Sequence, residues 1–181
     1  MAATRSDEFI ACVRRAYEWG RLRHGVLRSW PALVMTAVSC ALCHELELSL
    51  AIGACLLALA TGLSWYGRVA ARAAGAGLKA GWAAFLLPLA AFQLHFQAHC
   101  PGQTEVLFIN GSTGVVIGLA LSLASRRVEA QRNLFLLCST VIAALCGTLA
   151  CILFGPIGLA GMAAGAFLST APVAAYRAAT A

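Results

Sequence analysis

The chain has 181 residues, of which 61% are hydrophobic and only 11% are charged. Soluble domains carry about a quarter charged residues, so this composition excludes an ordinary soluble fold and indicates a polytopic membrane protein. The net charge of +6 suits anionic membrane lipids and does not argue for direct binding to nucleic acid. One span needs about 20 apolar residues, so six spans leave no room for a separate soluble domain beyond residues 1–28.

Residues 1–28 are predicted to form one basic, amphipathic helix. Phe9, Val13 and Tyr17 recur at helical spacing, and arginines fill the other faces. Two interpretations stay open for this helix: it lies on lipid headgroups, or it docks a cytoplasmic protein. Because the first apolar run follows nearly thirty polar and basic residues, the segment is not typical of a signal peptide.

Six apolar stretches follow, and each predicts a transmembrane helix. They lie at 29–45, 46–66, 80–98, 104–124, 134–153 and 156–176. A basic loop rich in glycine and alanine is predicted at 67–79, and Pro88 is expected to kink the third span. Small residues from Asn110 to Gly114 in the fourth span, and the GxxxG pair Gly161 and Gly165 in the sixth, favour close helix contacts.

The thirteen Lys and Arg residues predict the orientation of the chain. Threading the stretches as six alternating spans places every one of them on one face, together with both termini. Basic side chains near span ends stay cytoplasmic. We therefore expect an all-α bundle in a bacterial inner membrane, with residues 1–28 as a cytoplasmic helix and 29–177 as a six-span domain.

The predicted outer face carries residues that bind metals or form disulfides. Near the ends of the first and third spans lie Cys40, Cys43, His44, His95, His99 and Cys100. Thiolate and imidazole groups bind zinc or copper, whereas Cys43 and Cys100 could instead form a disulfide. The histidines could also be plain interfacial residues that bond to the backbone. The run from Cys40 to His44 matches the CxxCH haem-attachment string, but its cysteines lie in an apolar span.

The sequence contains no recognisable catalytic set. The seven acidic residues lie mostly at span ends, and no nucleophile–base pair or carboxylate pair is evident within the spans. We therefore expect the protein not to be an enzyme.

One segment resembles a known family. His99-Cys100-Pro101, then Leu107-Phe108 and a small-residue span ending at Arg126-Arg127, is similar to the NrsF-type and CarR-like membrane anti-sigma factors. The resemblance covers about 78–127 and the layout of the spans. It implies a six-span protein that holds an extracytoplasmic-function sigma factor on its cytoplasmic N-terminal region. A periplasmic redox or metal signal would release that sigma factor.

The same resemblance implies roles for individual residues. Cys100 would be a sensor thiol, with Cys43, Cys40 or Cys151 as its second member, and His99 would assist it. The sigma factor would contact the N-terminal helix. The contacting residues would be Phe9, Val13, Arg14, Tyr17 and Arg21.

A second resemblance gives the alternative function. Ser39-Cys40-Ala-Leu-Cys43, followed by Leu50-Ala51-Ile52-Gly53, is similar to the first span of the MerC mercury-uptake proteins. It implies a small heavy-metal transporter or metal-binding membrane protein, in which cysteines at several depths would hand the metal inward. The cysteines that would bind the metal in turn are Cys55, Cys146, Cys138 and Cys12. A structural subunit without chemistry, and a homo-oligomer, also remain open.

Overall fold

The computed structural model describes residues 2–42, 45–96, 103–126, 128, 131–152, 157–158, 160–166 and 168–169. Within these ranges the chain is helical apart from short turns, and no strand occurs. The helices are α1 (Ala2–Arg28), α2 (Trp30–Leu42), α3 (Leu46–Tyr66), α4 (Arg68–Phe96), α5 (Gln103–Ser125) and α6 (Arg132–Cys151). A further helical segment, α7, comprises the described residues from 157 to 169. The all-α fold class is therefore confirmed.

Several helices have the length and composition of membrane spans. The helices α3, α4, α5 and α6 each qualify alone. Helix α2 has 13 residues and measures only about 20 Å, which is less than the roughly 30 Å hydrocarbon core. It qualifies only together with Ile10–Arg28 of α1, as a pair bent by 43°. The described helices thus give four or five spans of a multi-pass membrane protein. The predicted span 156–176 lies partly outside them.

The prediction of a loop at 67–79 is wrong. Helix α3 ends at Tyr66, and α4 begins at Arg68 and runs without interruption through Pro88 to Phe96. Alanine, arginine and lysine favour a helix. Burial then fixes this helical start in place, because Ala73 is fully buried in one cluster with Phe135 and Cys138. The basic residues of this segment consequently lie on a helix surface.

Helices α4 and α6 run side by side through the centre of the bundle. A Cβ atom at Gly77 would lie 2.7 Å from the Ser139 carbonyl oxygen, and Gly81 lies directly against Cys146. The absence of side chains at these glycines therefore lets the two helices approach closely. Cys146 and Cys138 are buried in hydrophobic clusters, as expected for cysteines that act as small apolar residues.

The predicted packing of small residues is confirmed between α5 and α7. A Cβ atom at Gly161 would lie 2.9 Å from the Leu107 carbonyl oxygen, and one at Gly165 would overlap the Gly111 carbonyl. On the facing side, a Cβ atom at Gly114 would lie 2.8 Å from the Ala166 nitrogen. Both helices thus need glycine at this contact, as in other small-xxx-small interfaces.

Candidate functional site

Helices α1 and α2 form one bent rod rather than two independent elements. The buried Ser29 lies between them, and its hydroxyl donates to the Gly25 carbonyl at 2.9 Å. Pro31 has no N–H to donate to the carbonyl of Leu27. A serine bonded back to the preceding turn and a missing backbone bond both bend helices. These two residues account for the 43° bend.

The C-terminal part of α1 is attached to the end of α3. A Cβ atom at Gly25 would lie 3.4 Å from the Thr61 carbonyl oxygen, so the two helices touch there. Arg21 donates from Nη2 to the Trp65 carbonyl, and its guanidinium lies 5.8 Å from the centre of the Tyr17 ring. A cation at a helix C-terminus is favourable because the last carbonyls carry partial negative charge. Arg21 is thus already bound within the bundle, whereas Val13, Arg14 and Tyr17 are exposed.

An exposed apolar stripe lies on the N-terminal part of α1. Ile10, Val13 and Tyr17 are 62%, 52% and 65% exposed, and their spacing of three and four residues puts them on one face. Arg14 lies beside this stripe and forms an exposed ion pair with Glu18 at 3.2 Å. The side chain of Phe9 is outside the description. These three apolar residues, called the docking stripe below, expose large side chains in the way that helical recognition segments do.

The docking stripe opens into a groove at the end of the bundle. The groove measures ≈ 560 Å³ and lies between α1, the end of α3 and the start of α4. Tyr17 belongs both to the stripe and to the groove, and Arg21, His24 and Arg68 supply its basic lining. An apolar stripe that continues into a basic groove suits a partner that is apolar and acidic.

At the opposite end of the bundle, serines join α2 to two other helices. The Ser39 hydroxyl donates to the Leu149 carbonyl oxygen at 3.1 Å and lies 3.3 Å from the hydroxyl of Ser49. Both serines are buried. Buried hydrogen bonds of this kind fix how α2 sits against α3 and α6. The predicted sensor Cys40 directly follows Ser39 and is half-buried.

A second buried polar contact joins α5 to α6 near the same end. The Asn110 amide donates to its own helix at the Val106 carbonyl, at 2.9 Å. The Cys151 thiol lies 3.6 Å from the Asn110 Oδ1 atom, and both residues are buried. Sequence reasoning treated Asn110 only as a small polar residue. The sequence did mark this residue, because Asn110 places a carboxamide side chain inside a span of otherwise apolar and small residues.

The structure leaves most of the predicted metal and sensor residues undescribed. Cys43, His44, His99 and Cys100 lie outside the described residues, and His95 lies in α4 with its side chain outside the description. Among the residues that are described, no three His, Cys, Asp or Glu side chains come together as a metal site. The sites for zinc or copper and for the sensor thiols stay predictions.

Comparison with known proteins gives no family assignment. No protein-family model, no curated protein and no solved structure matches the chain.

Proposed function

We propose that the protein is a membrane-embedded anti-sigma factor of a bacterial inner membrane, with both termini in the cytoplasm. It would sequester an extracytoplasmic-function sigma factor on α1 and release it on a redox or metal signal at the outer face. One observation carries this proposal: the bent rod of α1 and α2 connects the half-buried Cys40 at one end of the bundle to the docking stripe at the other.

The direction of α1 favours a protein partner over the membrane surface. A helix lying on the headgroups would have to turn by nearly a right angle from the spans, whereas the bend at Ser29 is 43°. The helical residues before Arg21 measure about 30 Å along the axis, and those from Ile10 to Gly20 are all exposed. Exposed apolar residues on such a projecting helix need a partner that covers them.

The signal would act by changing the packing of α2. Ser39 attaches α2 to α3 and α6, so oxidation or metal loss at Cys43 and Cys100 would shift the rod against those helices. Movement of α2 would be transmitted through Ser29 to the contacts of Gly25 and α3. The rod would then have two positions, one that binds the sigma factor and one that releases it. A ligand or modification can shift the equilibrium between them only by its difference in affinity for the two. For a complete switch that difference is about 5.5 kcal/mol.

The partner-binding role is tested by two aromatic residues on opposite sides of α1. Tyr17 is 65% exposed in the docking stripe, and Trp19 is 68% exposed but about 160° away around the helix. Full-length variants would be co-expressed with the sigma factors of the source organism, with a sigma-dependent reporter as the readout. Y17A should weaken sigma binding by about 2 kcal/mol, typical of an aromatic anchor, and raise reporter output. W19A should leave both unchanged, and equal effects of the two variants would contradict the proposal.

The sensor role separates this proposal from metal transport. Under the anti-sigma proposal, C100S or C43S locks the reporter on or off and leaves the metal content of the cells unchanged. Under the transport alternative, the same variants lower mercury or copper accumulation and leave transcription unchanged. If neither output responds, the protein is a structural subunit and both proposals fail.

A further inference from the structure

Three cations converge on one outward surface of the bundle, away from the docking stripe. Arg28 lies at the end of α1, and Arg72 and Lys79 lie two turns apart on one face of α4. Together they line a groove of ≈ 480 Å³ between α1, α4 and α5. All three side chains are exposed, so the groove is open to the surroundings of the bundle.

Gly75 brings the third cation onto this face. The Arg28 Nη2 atom lies 3.3 Å from the place where a Cβ atom of Gly75 would stand. The guanidinium therefore rests on α4 between the levels of Arg72 and Lys79. A larger residue at position 75 would push it away, so glycine there keeps the three charges together.

The converging charges have no counter-charge within the described part of the chain. No carboxylate there forms an ion pair with Arg28, Arg72 or Lys79, and the ion pair that does occur joins Arg14 to Glu18. Like charges that converge repel each other. A bound anion would remove that repulsion, and a phosphate group matches the donor geometry of arginine.

The rest of the groove is apolar and suits a lipid. Its floor is formed by Ala76, Ala80 and Leu121, with Ala120 and Ala124 of α5 beside them. Lys79 lies about three turns into α4 from its start at Arg68, which is about 16 Å along the axis. Cations beside an apolar floor fit a headgroup phosphate and the upper part of its acyl chains.

We infer that this groove, called the basic groove here, binds the phosphate group of an anionic phospholipid. Arg28 and Arg72 would hold the phosphate oxygens, and Lys79 would add charge on the side toward the acyl chains. The small residues of α5 would leave space for those chains.

The test uses full-length protein in neutral detergent, titrated with phosphatidylglycerol and followed by native mass spectrometry. The double variant R72Q/K79Q should bind phosphatidylglycerol about 25-fold more weakly, since each cation near the headgroup is worth roughly a fivefold change in affinity. The matched double variant R15Q/R23Q removes the same charge from exposed positions on α1. Its affinity should stay within about twofold of the parent protein.

A third variant keeps every charge and blocks the groove. G75L places a branched side chain where Arg28 now rests, so it should weaken phosphatidylglycerol binding at least about tenfold. Thermal unfolding of each variant identifies any loss of folding. If R72Q/K79Q and R15Q/R23Q lose the same affinity for phosphatidylglycerol, binding arises from general surface charge and not from a specific site. Equal affinity for phosphatidylcholine, or displacement of the lipid by equimolar inorganic phosphate, would likewise overturn the inference.

Discussion

The glycine contact between α5 and α7 gives the sharpest test of the fold. In the variant G165A, the new methyl group would overlap the Gly111 carbonyl oxygen and lie 3.1 Å from the Val115 nitrogen. Both atoms belong to the backbone and cannot rotate away, so the two helices have to separate. Overpacking of this kind costs typically 1–3 kcal/mol.

The matched control is G62A in α3. A Cβ atom at Gly62 meets nothing within 4 Å, and both glycines lie within helices. Replacing glycine by alanine in a helix reduces the entropic cost of folding by up to about 1 kcal/mol. This gain is about the same in both variants. The difference in stability between G165A and G62A therefore isolates the clash, and we expect about 2 kcal/mol.

Thermal unfolding of the purified protein in detergent measures this difference. For a chain of this size, 1 kcal/mol corresponds to about 2–4 °C in Tm, so G165A should unfold about 4–8 °C below G62A. Far-UV circular dichroism should give the same helical content for both. If the two variants unfold within 1 °C of each other, the close approach of α5 and α7 is refuted.

Two further predictions test the remaining contacts. S39A removes the hydrogen bond to Leu149 and should lower the free energy of unfolding by about 1 kcal/mol. The control S112A should change it little, because the Ser112 hydroxyl bonds within its own helix on an exposed face. Equal stabilities of the two variants would contradict a role of Ser39 in holding α2. A membrane-impermeant maleimide should label the exposed Cys12 in inside-out vesicles but not in intact spheroplasts, as peptide mass spectrometry would detect. Cys146 should stay unlabelled in both, and labelling of Cys12 from outside would reverse the orientation.

Three of the described helices agree closely with predicted stretches, whereas α2 is too short to span alone and one connecting segment is an exception. The apolar stretches at 46–66, 104–124 and 134–153 match α3, α5 and α6 within two residues at each end, because a bilayer forces an apolar segment to satisfy its backbone as a helix. The exception is 67–79. Arg72, Gly75 and Lys79 indicated a polar loop, but alanine between them favours a helix, and contacts with α6 stabilise it.

The candidate sites were less predictable. The spacing of Val13 and Tyr17 placed them on one face of a helix, and the structure leaves that face exposed. Arg21 was grouped with them by the same spacing, yet it binds the Trp65 carbonyl. That partner lies 44 residues away, and helical periodicity carries no information on such a contact.

The sequence by itself determined that this chain is a helical membrane protein, because composition and hydropathy leave the backbone no other way to cross a bilayer. It also indicated which small residues form helix contacts. Only the tertiary structure decided that α1 continues α2 as a bent rod, and that Arg28 meets Arg72 and Lys79 across Gly75. Neighbours and rotations of helices arise from side-chain packing between distant segments, and no local pattern in the chain specifies them.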